Sequence, residues 1–326
     1  MSFLSYTIPL KRVFLALALA SVATGAFPQS WPTRPLTVIV PFPAGGGTDL
    51  VIRAIQSLLQ KELGQPIIID NRSGAGGTIG SAMVAKAAPD GYTMGVATTS
   101  THAVSVSVFR QVPYDPTKDF EYVGFIGTSP YVLAVHPSLK APDIKTLIAT
   151  LRKNPRQYSF GSVGAGTVSQ LMGEKFKEVA GVPLVHVPYR GAAPAYADLV
   201  GGQVQILFDN PLGLSPFIRS GQLVAVAATA SNALLPGIPT FAQQGVPNFD
   251  QTLWYGIAFP KGTPKAIVNK FNSALNKVLS DRAVAADLAS KGINANPASP
   301  ETMRAAVVKD IAYWGKIATS VGAKVD

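Results

Sequence analysis

The sequence predicts an α/β protein built as two doubly wound lobes with a cleft between them. Three observations carry this. From residue 36 onward short apolar runs alternate with segments of helical spacing, the pattern of mostly parallel sheets with helices on both faces. A strand running into a glycine loop and then a helix occurs at "PFPAGGGTD" (41–49) and again at "GSVGAGTVSQ" (161–170). The chain also ends in helical patterns with no strand after them, which must pack on a sheet already built. It therefore leaves a first lobe, builds a second and returns, with two crossover strands near 120–135 and 250–260.

In order, "LTVIV" (36–40) is a buried strand, and residues 48–63 show helical spacing through Leu50, Ala54, Leu58 and Leu59. "IIID" (67–70) is a strand, and "TIGSAMVAKAA" (78–88) is a helix stopped by Pro89-Asp90-Gly91. "TMGVATT" (93–99) is the third strand. The grammar restarts with strand 131–137, helix 143–153, strand 158–162, helix 167–181, strand 184–189, helix 193–202 and strands 204–210 and 223–229. Strand 253–260 precedes helices 264–280, 281–291 and 300–321. The expected division is residues 27–125 plus 255–326 for the first lobe and 126–254 for the second.

The first residues read as a secretory signal. "MSFLSYTIPLKR" ends in two cations, "VFLALALASVA" is apolar, and "TGA" places small residues before a cut after Ala26. The apolar run is shorter than the roughly 18 residues a membrane span needs. Residues 1–26 are therefore expected to be removed, and the protein to be periplasmic. The chain is 326 residues long and has no cysteine, which excludes disulfides, thiolate metal sites, cysteine nucleophiles and a lipoprotein anchor. Its formal charge is +10, of which Lys11 and Arg12 account for two. The cations are scattered without interleaved aromatics, so no nucleic-acid face is expected.

The first glycine loop places backbone N–H groups at a helix start, where unpaired donors and the helix dipole favour an anion. Thr48 adds a hydroxyl, while Asp49 belongs with the first helical turn. A phosphate-binding P-loop would need a lysine after the glycines, and none is there. A dinucleotide fingerprint would need a third glycine, although Asp70 does end the second strand, which keeps a nucleotide-dependent α/β enzyme as an alternative. The bland reading is a glycine turn with no ligand. The second loop and the cluster "NRSGAGGTIGSA" (71–82) add Ser73, Thr78, Ser162, Thr167 and Ser169. These neutral donors suit reversible carboxylate binding more than tight polyphosphate binding.

No catalytic constellation is legible. His102, His136 and His186 form no ligand spacing, and there is no nucleophile elbow. No metal, no cofactor and no enzyme activity are therefore expected. His102, after "TTST" at a strand end, can reach the cleft or sit on the surface. Asp209, after "VQILF", can accept from a ligand hydroxyl or ammonium, or cap the helix after Pro211.

"WPTRPLTVIVPFPAGGGTD", "DNRSGAGGTIG", "APDGYT", "PYDPTKDF" and "HVPYRGAAPAYADLVGGQV" together resemble the Bug (TctC-like) extracytoplasmic solute receptors of tripartite tricarboxylate transporters. The resemblance runs through the whole chain after the signal. It implies a two-lobed periplasmic binding protein, a type II-like Venus flytrap, closing as a monomer on a small carboxylate. The carboxylate would be a di- or tricarboxylate, an acidic amino acid or an aromatic acid. Its partners would be membrane transporter subunits or, alternatively, a sensor protein. By motif the resemblance puts ligand contacts on Phe42, Ala44, Gly45, Gly46 and Thr48, on Gly164, Gly166, Thr167 and Ser169, and on Asp209, with Thr99 to His102 lining the distal end. Ser73, Thr78 and Gln170 depart from the family pattern in the cleft region.

Overall fold

The structure, a computed structural model, describes residues 31–325. The expected signal peptide, residues 1–26, lies outside the described residues. The first lobe opens with β1 (Leu36–Val40), α1 (Gly47–Leu63), β2 (Ile67–Asn71), α2 (Thr78–Ala85) and β3 (Thr93–Thr98). A wide helical turn, Ser100–Val104, runs into the short α3 (Ser105–Val108) and then β4 (Phe120–Pro130). The second lobe holds β5 (Val132–Val135), α4 (Ile144–Lys153), β6 (Ser159–Ser162), α5 (Val168–Ala180) and β7 (Val185–Pro188). It continues with α6 (Ala192–Val200), β8 (Ile206–Asp209), α7 (Pro211–Arg219) and β9 (Val224–Ala228). The chain returns through β10 (Thr252–Pro260), followed by α8 (Lys265–Ser280), α9 (Arg282–Ser290), β11 (Asn294–Ala295) and α10 (Pro300–Ser320).

One sheet has the order β11-β4-β10-β3-β1-β2 and the other β7-β6-β8-β5-β9. Both are mixed. β1 pairs parallel with β2 and β3, and β6 pairs parallel with β7 and β8. β4 carries the chain out of the first lobe and β10 brings it back alongside, so these two run antiparallel, and β10 also opposes β3. β5 is likewise antiparallel to both neighbours. Both long crossing strands lie wholly in the six-stranded sheet. The chain changes sheets at Tyr131 on the way out and between Ala228 and Thr252 on the way back. The expected boundaries, 125/126 and 254/255, thus fall inside β4 and β10. At the hinge Tyr131 N–H donates to Thr229 Oγ1 and Thr229 N–H donates to Tyr131 O, each at 2.9 Å.

The helix that frames the cleft is set by simple patterning. In α1, Val51, Ile55, Leu59 and Leu63 recur every four residues and are buried along one ridge against the sheet. The helix stops at Gly64, whose φ of 71° only glycine adopts without strain, and whose N–H closes on Gln60 O. The terminal helices pack on the first sheet as expected, but a further two-residue strand, β11, lies between α9 and α10 and pairs antiparallel with β4 at the sheet edge. Asn272 of α8 donates to Val123 O of β4 at 2.7 Å, and Trp254 Nε1 of β10 donates to Asp310 of α10 at 2.7 Å.

Candidate ligand-binding cleft between the lobes

The two lobes are closed on each other. Ser100 Oγ, on the turn after β3, accepts the Val168 N–H that starts α5 in the second lobe, at 3.1 Å. Ser105 Oγ reaches Gly166 O at 3.4 Å. Glycines let the backbones meet: a Cβ on Gly76 would lie 2.4 Å from Ala165 O, and one on Gly191 would lie 2.6 Å from Pro43 Cγ. A cavity remains between the lobes, with about 50 Å³ of space for water centres. That is room for several waters, since about 10–15 Å³ holds one.

The cavity lies where two helices begin. From the first lobe it is lined by Phe42, Gly46, Gly47 and Thr48, at the start of α1. From the second it is lined by Ala192, which starts α6, and by Asp209 and Asn210. A Cβ on Gly46 would stand 4.0 Å from Ala192 Cβ, so the two helix starts converge. Their caps are both glycine, Gly46 and Gly191, and neither helix has a side-chain cap. Some other helices are capped: Asp143 accepts from Thr146 N–H, Asn210 from Gly213 N–H and Ser299 from Thr302 N–H, while α2, α3, α5 and α8 have no side-chain cap either. First-turn N–H groups of α1 and α6 are thus left to whatever occupies the cavity, and both dipoles turn their positive ends to it. The remaining polar lining is neutral: Thr98, Thr99, Ser100, Tyr131 and Tyr255.

Asp49 is spent inside the first lobe. Its Oδ2 accepts from Gly45 N–H at 2.9 Å and from Arg53 Nε at 2.8 Å, and its Oδ1 accepts from Asn71 Nδ2 at 3.0 Å. Burial opposes its ionisation, but the bonds from Arg53, Gly45 and Asn71 outweigh burial and hold the carboxyl below its usual range. Asn71 Nδ2 also donates to Phe42 O at 3.0 Å, which pins the glycine loop to the end of β2. Asp209 is buried at the far wall. It accepts from Tyr196 OH at 2.5 Å and, through its other oxygen, from Asn210 N–H at 2.8 Å and Asn210 Nδ2 at 3.0 Å. Burial pushes its carboxyl upward against those three bonds. Both its oxygens are engaged, so its direct work is to fix Asn210, which in turn caps α7.

The structure therefore brings together Phe42, Gly46, Thr48, Thr99 and Asp209 around one cavity. Thr99 Oγ1 also accepts the Trp254 N–H at 2.8 Å, tying the cavity wall to the returning strand. The others lie elsewhere. Ala44 and Gly45 are exposed on the outside of the first loop. Thr78 bonds back to Ala75 O at 2.9 Å. The second glycine loop spends its hydroxyls internally. Thr167 donates to Gly164 O at 2.6 Å, Ser169 donates to Phe208 O at 2.6 Å, and Ser162 pairs with His186 Nε2 at 2.7 Å. Gly166 N–H donates to Gln170 Oε1 at 2.8 Å, and Gly166 packs on the Phe109 ring. Gly164 lines a second, outer cavity at the cleft mouth. The loop's helix, α5, already has its leading N–H filled by Ser100. His102 is enclosed in the first lobe by Tyr114, Phe120 and Tyr122, and burial lowers its pKa to about 3.

Sequence reasoning passes over Gly191, Ala192 and Asn210, and includes Ser100 only within the stretch Thr99 to His102. A signal for α6 exists: "YRGAAPAYADL" opens a helix on glycine with no Ser, Thr, Asp or Asn before it. The bond from Val168 N–H to Ser100 carries no such signal, because the two residues are remote in sequence.

Two α/β lobes closed over a cavity lined by two helix starts, hydroxyls and the hydrogen-bonded carboxyl of Asp209 define a two-lobed binding protein of the Venus-flytrap type. The model for the "Tripartite tricarboxylate transporter family receptor" (TctC) matches residues 51–323. Protein BugT of Bordetella pertussis is 34% identical over 319 residues, 97% of this chain and 98% of BugT. Among solved structures, R. palustris Rpa4515 with adipate superposes with a TM-score of 0.87 at 36% identity, covering 90% of this chain and 100% of that one. MatC (Rpa3494) from Rhodopseudomonas palustris with bound malate gives 0.82 at 33% identity, covering 88% and 99%. The chain belongs to the TctC/Bug family of solute-binding receptors, whose members are periplasmic binding proteins.

Proposed function

We propose that the protein is a periplasmic receptor that captures a small organic carboxylate between its lobes and hands it to a tripartite tricarboxylate-type transporter. The observation that carries this reading is the convergence of two helix N-termini without side-chain caps, one per lobe, on a single cavity. One carboxylate placed there accepts N–H donors from both lobes at once, and only the closed state offers both sets. Binding energy therefore drives closure. The adipate and malate in the related structures support the ligand class, and the family description supports the transporter partner. The ligand contacts proposed are the N–H groups of Gly47 and Thr48 from α1 and of Ala192 from α6, with Gly46, Thr99, Ser100 and Asn210 completing the wall. The donor set is neutral, so the ligand is held without a buried cation and leaves readily.

The test is thermal unfolding of the protein from Phe27 onward, after unfolding and refolding to remove any carried ligand. The panel holds C4 to C6 dicarboxylates, citrate, aspartate, glutamate, nicotinate, benzoate and terephthalate, with NAD and ATP as controls. A ligand at 100 times its Kd adds about 2.7 kcal/mol, which raises the midpoint by several degrees. A shift with a carboxylate and none with nucleotides supports the receptor. A shift with a nucleotide alone overturns it in favour of a nucleotide-dependent enzyme.

A further inference from the structure

The first lobe holds a small internal cavity that shares no lining residue with the cleft. It lies between α2, the sheet and the wide turn Ser100–Val104, and its walls include Ser81, Val84, Val96, His102 and Phe120. It offers about 10 Å³ of space for water centres, room for one water and nothing larger. Two of its lining residues carry an unpaired polar atom. Ser81 is 3% exposed and His102 2%, and among the described residues neither Ser81 Oγ nor His102 Nε2 has a hydrogen-bond partner. Native proteins rarely leave such atoms unpaired, and an ordered water is their usual partner where protein groups cannot serve. The neighbours cannot serve here. Tyr114 O–H is spent on Thr101 O at 2.5 Å. It is close enough to Ser81 for that hydroxyl to ease its ionisation, yet the two are not in hydrogen-bond geometry. His102 Nδ1 is already paired with Thr101 Oγ1 at 2.8 Å. The lining carries no carboxylate, and burial keeps the His102 ring neutral, so nothing here calls for an ion.

We propose that this cavity binds a single ordered water that bridges Ser81 Oγ on α2 to His102 Nε2 on the wide turn, and that the bridge seats the turn at the cleft. Water suits the pair because it both donates and accepts. It donates to Nε2 when Nδ1–H donates to Thr101, and it accepts from Nε2–H when Nδ1 accepts from Thr101. The link to the cleft runs through Thr101. Its Oγ1 accepts Thr98 N–H at 3.2 Å, and its N–H donates to Thr98 Oγ1 at 3.2 Å. Thr98, Thr99 and Ser100 line the inner cavity. Water, His102 and Thr101 thus form a chain from α2 to the hydroxyl-bearing wall, with His102 as a positioning residue. The bridge is independent of what the cleft binds.

The experiment needs no ligand. A crystal structure of the protein from Phe27 onward, at a resolution that places waters, should show one density peak about 2.7–3.2 Å from both Ser81 Oγ and His102 Nε2. In solution the His102 ring protons should show nuclear Overhauser contact with a long-lived water, and Ser81→Ala should weaken it. Ser81→Ala should also speed amide hydrogen exchange at residues 98–101 by about three- to tenfold, the scale of one lost hydrogen bond, with α1 amides within about twofold. Ser81→Cys keeps the side chain's shape and a weak donor. It should give an intermediate change, and it stands in if the alanine variant does not fold. A dry cavity, with neither peak nor water contact, overturns the site, as does a Ser81 rotamer bonded directly to His102 or Tyr114. A water present in the wild type, with exchange at 98–101 unmoved in the variants or raised equally in α1, overturns the seating of the turn.

Discussion

Gly47→Ala should separate the stability of the protein from its ability to close. Gly47 is the first residue of α1 and is absent from the positive-φ glycines, so alanine meets no backbone strain there. Replacing a helical glycine with alanine stabilises by up to roughly 1 kcal/mol. In the closed structure, however, a Cβ at this position would lie 2.2 Å from Asn210 Nδ2 and 2.7 Å from its Cγ, across the cleft. Asn210 cannot step aside freely. Its Oδ1 accepts the Gly213 N–H at 3.0 Å and its Nδ2 donates to Asp209 at 3.0 Å. Giving up the cap costs about 1 kcal/mol, and giving up the bond to the carboxylate costs about 1.5–3 kcal/mol. Partial relaxation reduces the total, so closure should lose about 1–3 kcal/mol, which weakens ligand binding by roughly 5- to 150-fold. The open, ligand-free protein pays none of this. Its unfolding midpoint should stay level or rise, while calorimetry shows the weakened Kd and small-angle scattering shows less compaction on adding ligand. A Kd within twofold of wild type would refute the closed geometry as the liganded one. A midpoint lower by several degrees would refute the assignment of Gly47 as a simple helical position.

Three further outcomes are expected. Ser100→Ala removes the acceptor for Val168 N–H across the cleft, and should speed ligand dissociation in stopped-flow by about two- to tenfold for the roughly 0.5–1.5 kcal/mol of one hydrogen bond, with the ligand-free midpoint unmoved. Thr48→Val keeps the volume but deletes a hydroxyl at the cavity wall, and should weaken the carboxylate by about 1 kcal/mol in calorimetry without changing the fold by circular dichroism. His102 has its folded pKa lowered to about 3 by burial, so between pH 6.5 and 3 the unfolded chain holds a proton that the folded chain refuses, and stability falls as pH falls. The loss amounts to about 2 kcal/mol from pH 6.5 to pH 5. His186, lowered to about 4 by burial and Lys177, acts with the same sign, so His102→Gln should remove only part of the slope of urea-derived stability against pH.

Most of the fold is legible because its signals are local. Strand, glycine loop and helix over 36–63 can be read from an apolar run, a glycine cluster and a ridge at every fourth residue. The same holds for α4, with Asp143 as its cap and Ile144, Leu147 and Leu151 buried. The mixed sheets are not legible in this way. Whether β10 runs with or against β3 depends on the direction from which the chain re-enters the lobe, and no residue in "LWYGIAFP" encodes that direction. The break at Tyr131 is hidden for a similar reason. Residues 120–135 are apolar almost throughout, and only the reciprocal bonds with Thr229, 98 residues away, show where one sheet ends and the other begins.

The cleft residues divide along the same line. Two glycine loops in the sequence look like equal halves of a clamp, since each offers N–H groups, hydroxyls and a helix start. The structure treats them differently because Ser100 lies against the second. Once its hydroxyl accepts the Val168 N–H, α5 is a docking point between lobes, and Thr167, Ser169 and Gln170 serve to hold that loop rigid for docking. The open helix start moves to α6, where Gly191 brings no side chain to compete for the first-turn donors and its missing Cβ lets Pro43 approach. An anion site at a helix N-terminus requires that nothing within the protein already fills it. That condition involves partners distant in sequence, so composition and spacing can nominate candidate helices, and only the packed structure selects among them.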